Sequence, residues 1–242
     1  MGLFGPWATL EGAELRRCGR GSVVWAPGDP CRSVYGLESG RIKIVQAGPE
    51  GRRLILELIG PGEPFGEAAV LGAEWRENAA EVLEAAAVWM IPRRSALEWL
   101  RARPEGWREL ATLIEERRRR LEGRLERVLF GDVEQRLVRL LLELAQLYGE
   151  GSPAGVNLGV ELSQRELAQL VGSTRETVSA ALNRLRRRGW VEIRRKRLRI
   201  SSLEELARAA EVGWPPRRPP APERAAPAAA EESSRGGART AP

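Results

Sequence analysis

Two spacings of apolar residues divide the chain. Between about residues 15 and 92 the apolar positions form short runs or alternate with polar ones: Val23-Val24-Trp25, Val34 to Leu37, Arg41 to Val45, Leu54 to Ile59, Ala79 to Leu83 and Val88 to Ile91. Turn residues close the runs, among them Pro27-Gly28-Asp29, Glu38-Ser39-Gly40, Gly48 to Gly51 and Gly60-Pro61-Gly62. Strands so short and so regularly interrupted predict a compact antiparallel barrel or roll, not alternating strand and helix units. Within this part, Pro64 to Gly72 predicts a short helical turn opened by Gly66.

After residue 94 the spacing becomes helical. Ser95 and Glu98 have the spacing of a capping box for a helix to about Arg101, and Pro104 suits the first turn of a longer one. In that longer helix Trp107, Leu110, Ala111, Ile114, Leu121, Leu125 and Val128 repeat at three and four residues, and Arg118 interrupts them. The pattern fits a two-stranded seam in which Arg118 fixes register or senses a ligand, and equally a single amphipathic helix on the roll with Arg117 to Arg120 solvated. Gly131-Asp132 marks a joint. Asp132 can cap the next helix, which carries Val133, Leu137, Leu140, Leu141 and Leu144 and ends near Tyr148-Gly149. Gly149 to Gly155 predicts a loop, and Val156 to Val160 a short strand.

Leu162 to Gly189 predicts two short helices joined at Gly172. Ser163 with Glu166 and Ser173 with Glu176 each have capping-box spacing, and Leu167, Leu170 and Val171, then Val178, Ala181, Leu182 and Leu185, supply the inward faces. Two capped helices with one glycine turn between them are the plan of a helix-turn-helix. Thr174, Arg175, Glu176, Thr177, Ser179 and Ala180 then surround the first turns of the second helix. An arginine fork matches guanine O6 and N7, and a carboxylate accepts from the cytosine N4 amine. The alternative is a solvated polar face with a cap. Gly189 is a natural helix stop, and Trp190 to Ile193 and Leu198 to Ile200 predict two strands around a basic turn, Arg194 to Arg197. Ser201 and Ser202 cap a last helix to about Glu211. Residues 213–242, rich in Pro, Ala, Arg and Ser, predict a disordered tail, either idle or a basic arm.

Composition removes most other classes. With no histidine among 242 residues there is no Ser-His-Asp triad, histidine-bound zinc or proximal haem histidine, and two cysteines give no four-thiolate iron-sulfur site within one chain. No metal site and no enzymatic activity are expected. Cys18 and Cys31 cannot form a disulfide framework, and neither a leader nor a run of about 20 apolar residues occurs, so a cytoplasmic protein without a membrane partner is expected. The net charge of +6 and the pI of about 10.2 suit a polyanion.

The stretches LILELIGPGEPFGEAAVLG and WRENAAEVLEAAAVWMIPR resemble the cyclic-nucleotide-binding domain of the Crp/Fnr transcription regulators, and SQRELAQLVGSTRETVSAALNRLRRRGWVEI resembles their DNA-binding domain. The resemblance covers about residues 15 to 210. It implies an α+β chain: a jelly-roll-like β-roll sensor (1–94), connecting and dimerisation helices (95–131) and a winged helix-turn-helix (132–212).

What the family uses can be carried over position by position. Gly66 and Glu67 match the pair that contacts ribose in cyclic-AMP-binding members, and Arg76 aligns with the arginine that holds the cyclic phosphate. Glu77 stands where a hydroxyl donor is expected, and Leu121 and Glu122 where adenine-contacting hydroxyls are expected. A carboxylate has no donor for a phosphate oxygen and repels it, so cyclic AMP is not expected as a cofactor. An inherited Glu67–Arg76 pair bracing an emptied pocket is expected instead.

The resemblance further implies a homodimer whose seam uses Trp107, Leu110, Ile114, Arg118, Leu121, Leu125 and Val128. Its partners would be RNA polymerase and an inverted repeat of TGTGA-like half-sites. Arg175 and Glu176 match the base-reading pair, whereas a further arginine one turn on is Ala180. Ser163, Gln164, Ser173, Thr174, Thr177, Ser179, Arg184 and the wing residues Arg195 and Lys196 complete the expected DNA-binding set. An activator is expected. The competing expectations are a cyclic-nucleotide-dependent regulator and an effector-binding module that controls a partner protein.

Overall fold

The computed structural model describes residues 3, 5–152, 155–194 and 197–209. Arg195, Lys196 and the predicted tail lie outside the described residues, as do residues 153 and 154.

Six antiparallel strands build the first part: β1 (Glu14–Cys18), β2 (Val23–Trp25), β3 (Ser33–Ala47), β4 (Arg53–Ile59), β5 (Pro64–Phe65) and β6 (Ala79–Pro92). They run in the order β1-β6-β3-β4, with β2 on β6 and β5 on β3. The four short runs expected between Val34 and Val45 and between Ala79 and Ile91 are two long strands. The pairing of β3 with β6 shifts around Ser39 to Ile42, and Gly40 sits there at φ 83°. A Cβ on Gly40 would lie 2.2 Å from the Ala85 carbonyl. The glycine therefore marks a bulge that bends a continuous strand, not a turn that ends one. Inside the fold, Trp25, Tyr35 and Phe65 lie with ring centroids 5.1–5.5 Å apart beside buried Leu37, Ile42 and Ile59.

Helix α1 (Arg93–Ala102) begins two residues before the expected cap. Its N-cap is Pro92; Ser95 instead donates to the Glu11 carbonyl at 2.6 Å, and Glu98 binds Arg94. Helix α2 (Pro104–Phe130) starts at the proline, as expected. Leu110 is fully buried against Trp99 and Leu100 of the same chain, with Leu113 and Ile114 beside it. It therefore belongs to the protomer core, which corrects its placement in the seam. Along the same stripe of α2, Trp107, Leu121, Leu125 and Val128 are exposed, Leu125 by 59%, with Leu129 beside them.

The second part comprises α3 (Val133–Tyr148), β7 (Gly149–Ser152), β8 (Gly155–Leu158), α4 (Gln164–Val171), α5 (Arg175–Arg187), β9 (Val191–Arg194), β10 (Arg197–Ile200) and α6 (Leu203–Ala209). Asp132 caps α3 in a complete box with Gln135. The loop expected after α3 is a hairpin: β7 pairs with β8, giving the sheet order β7-β8-β10-β9. Val45, Ile55, Leu58 and Leu83 of the first part join one core with Leu137, Leu141, Leu167 and Leu182 of the second. Arg41 donates to the Gly159 carbonyl at 2.9 Å and covers the Tyr148 ring at 4.0 Å, and Lys43 binds Glu166 at 3.1 Å. Among the described residues, no helix is long and apolar enough to cross a membrane.

Candidate nucleic-acid interface and sensor pocket

Helix α4 opens with the expected box. Ser163 accepts from the Glu166 amide at 3.2 Å, and the Glu166 carboxylate receives the Ser163 amide at 2.8 Å. Burial would raise the Glu166 carboxyl, but the Ser163 amide and hydroxyl and the Lys43 ammonium together hold it below the ordinary carboxylate value. The helix stops at Gly172, which is left-handed at φ 65°, and the Ser173 amide closes the turn on the Ala168 carbonyl at 3.0 Å. Ser173 thus finishes α4, and the cap of α5 moves one residue on, to Thr174. Its hydroxyl accepts from the Thr177 amide at 3.2 Å, which corrects the expected Ser173–Glu176 box.

Val178, Ala181, Leu182 and Leu185 face the core, as the spacing predicts. Thr174, Arg175, Glu176, Thr177 and Ala180 are exposed, Ser179 is half-buried, and Ser163 and Gln164 are half-buried at the start of α4. This leaves a guanidinium, a carboxylate and hydroxyls around a helix N-terminus whose amides attract anions. Arg184 is less available than expected. Its guanidinium, with that of Arg188, is held by Glu134 of α3. Glu134 is half a hundred residues away in the chain, and helical spacing gave no sign of it.

The second constellation lines a cavity of about 330 Å³ between the roll, α2 and α3. Gly66 adopts φ 77° and opens the helical turn Glu67–Ala69, as predicted. Arg76 is 5% exposed, donates to the carbonyls of Gly66 and Ser33, and lies 4.3 Å from the Trp25 ring centroid. It does not pair with Glu67. Glu67 binds Arg117 at 2.6 Å, so the expected Glu67–Arg76 brace is replaced by one that reaches α2. Glu77 is exposed at the rim, and Leu121 also lines the cavity.

The buried arginine of the run is Arg117, which corrects the expectation for Arg118. Arg118 is exposed and pairs with Glu115 and Glu122 of its own helix. Arg117 also takes Glu57 at 2.9 Å and the Pro64 carbonyl at 2.8 Å. Burial pushes the Glu57 carboxyl up, against the pull of Arg117 and Arg120. Sequence reading missed Glu57 as a pocket residue. The available signal was one acid inside the apolar run Leu54 to Ile59, where an unpaired carboxylate would be costly.

A cyclic nucleotide-binding domain model matches residues 15–103, and a Crp-like helix-turn-helix domain model matches residues 135–209. The chain belongs to the Crp/Fnr family of transcription regulators. This regulator is 35% identical over 191 residues to the CRP-like cAMP-activated global transcriptional regulator of Mycobacterium tuberculosis, covering 79% of this chain and 85% of that one. It is 29% identical to the transcriptional regulator LdrP of Thermus thermophilus, covering 81% and 96%. Its fold is similar to the crystal structure of a CRP-family transcriptional regulator from Thermus thermophilus, with TM-score 0.70, 29% identity and coverage of 82% and 97%. A family of DNA-binding regulators, not of enzymes, fits the exposed first turn of α5.

Proposed function

We propose that this Crp/Fnr regulator is a homodimer that reads an inverted-repeat operator through Arg175 and Glu176, needs no cyclic AMP, and activates transcription through RNA polymerase. The observation that carries the reading is the capped first turn of α5, where Arg175 and Glu176 stand exposed while the opposite face is buried. Arg175 takes a guanine and Glu176 the cytosine opposite, which favours TGTGA-like half-sites. Ala180 has no donor for the adjoining position, so specificity there is relaxed. Ser163, Gln164, Ser173, Thr174, Thr177, Ser179 and Arg184, with the wing residues Arg195 and Lys196, position the backbone.

The exposed stripe of Leu121, Leu125 and Val128 supports a seam to a second copy. A twofold dimer places its recognition helices about 34 Å apart or a multiple of that. Selection from a random duplex pool should therefore return an inverted repeat with that spacing. Equal binding to random duplexes would overturn the reading. Leu125→Glu should give a folded monomer with weakened operator binding, measured by sedimentation and fluorescence anisotropy.

A cyclic-nucleotide-dependent regulator is the second reading. The relative whose name says it is cAMP-activated, together with the retained Gly66-Glu67, favours it. Against it stand the engaged Arg76, Glu77 at the rim, and Leu121 and Glu122 in place of hydroxyls. A tenfold gain in operator affinity on adding cyclic AMP would select this second reading.

A further inference from the structure

Arg117, Arg120 and Arg124 lie at i, i+3 and i+7 of α2 and so share one face. Each is held by groups from other elements. Arg117 joins Glu67, just past β5, to Glu57 on β4 and to the Pro64 carbonyl. Arg120 reaches the same Glu57 oxygen at 3.1 Å. One turn further on, Arg124 donates to the Leu56 carbonyl at 2.6 Å and lies 3.5 Å from the Glu143 carboxylate of α3. Three guanidiniums thus face three carboxylates, and the row runs unbroken from the sensor loop, across β4, to the first helix of the DNA-binding part.

We propose that this arginine ladder takes the place of an effector. It fixes α2 against β4 and α3 against α2, so that the recognition helix keeps its DNA-competent placement with nothing bound in the cavity. Partly buried ion pairs of this kind define an arrangement because breaking one leaves its partner charged and less well satisfied. Contiguous charged networks of this kind can also couple distant sites. The inference rests on the DNA-reading role proposed above, and Arg117, Arg120 and Arg124 act in it as positioning residues.

The test uses the full chain with Glu57→Gln and Glu143→Gln, which keep side-chain shape and remove one charge each. Spin labels at Val23→Cys and Asn183→Cys, with Cys18→Ala and Cys31→Ala, report the distance between the roll and α5 without DNA. With labelled protein diluted into excess unlabelled protein, so that each labelled dimer carries one labelled protomer, the parent should give one narrow roll-to-α5 distance distribution. Each Gln variant should broaden it and lose at least tenfold in operator affinity, with affinity for scrambled duplex unchanged.

A broad distribution in the parent would overturn the ladder. So would variants whose distribution stays narrow and whose operator-to-scrambled ratio stays within twofold, even if they melt earlier, because a merely structural role predicts that result. A parent with a narrow distribution and no operator preference would refute the DNA reading alone. The label distances would then still decide the ladder.

Discussion

The two constellations of this regulator treat charge in opposite ways. In the cavity, Arg76, Arg117, Arg120 and Arg124 are all engaged by carbonyls, carboxylates or aromatic faces of the same chain. At the start of α5, Arg175 and Glu176 stand in solvent, and α5 is anchored through its other face and through Glu134. A charge that has its partner inside the chain holds the fold together. One that stands exposed beside unsatisfied helix amides is available to something outside. The charges lining the pocket are spent within the chain, and those at the start of α5 are left free of such contacts.

The most severe way to break this contrast is Arg117→Met. It takes from Glu67 its Arg117 partner and leaves Glu57 with Arg120 alone in a half-buried site, and losing one partner of a buried ion pair costs about 3–5 kcal/mol. Denaturant unfolding should show a loss of that size. A loss below about 1 kcal/mol would mean that Arg117 is surface charge after all. Next in size is the reading head. Arg175→Ala or Glu176→Ala should leave the melting temperature unchanged and reduce operator discrimination by about 1–3 kcal/mol, measured as the ratio of operator to scrambled-duplex affinity. Arg117→Met thus lowers stability, whereas the two α5 variants lower specificity at unchanged stability.

The helix pair α4 and α5 was legible in the sequence because its geometry is local. Ser163 and Glu166 are three residues apart, and the inward residues of α5 repeat at helical spacing. The one local error, Ser173 for Thr174, arose where two hydroxyl residues adjoin and the first is taken up in closing the preceding helix. The joint was legible only in part, because residues far apart in the chain settle it. A run of four arginines cannot show which one turns inward until Glu57, sixty residues earlier, is in place. The strands failed in the same way. Gly40 reads as a turn locally, and only the close approach of Ala85 makes it a bulge.

A link between the two regions gives a smaller, pH-dependent effect. Glu166 caps α4 and binds Lys43 of the roll, and its folded pKa is depressed. For a carboxyl lowered in the folded state, stability is present above the unfolded value of about 4.3 and is lost as pH falls through the folded pKa. Glu166→Gln can retain the cap but not the charge. Its stability should be lower by about 1 kcal/mol at pH 7, and the difference from the parent should shrink on acidification. A difference that grows toward pH 3 would show that the carboxylate is not the group involved.

The smallest effect is the one that most sharpens the contrast. Glu77→Ser restores a hydroxyl beside Arg76, and if the pocket lacked only that donor, the variant should gain a response to cyclic AMP. But the Arg76 guanidinium donates to the Gly66 and Ser33 carbonyls and stacks on Trp25, so a cyclic phosphate would have to displace those contacts before meeting a donor. Operator affinity with and without saturating cyclic AMP should therefore stay within twofold in both the parent and Glu77→Ser, about 0.4 kcal/mol. A clear gain in the variant alone would mean that Arg76 is held in reserve for a ligand, and that one carboxylate at the rim is what keeps the pocket closed to nucleotides.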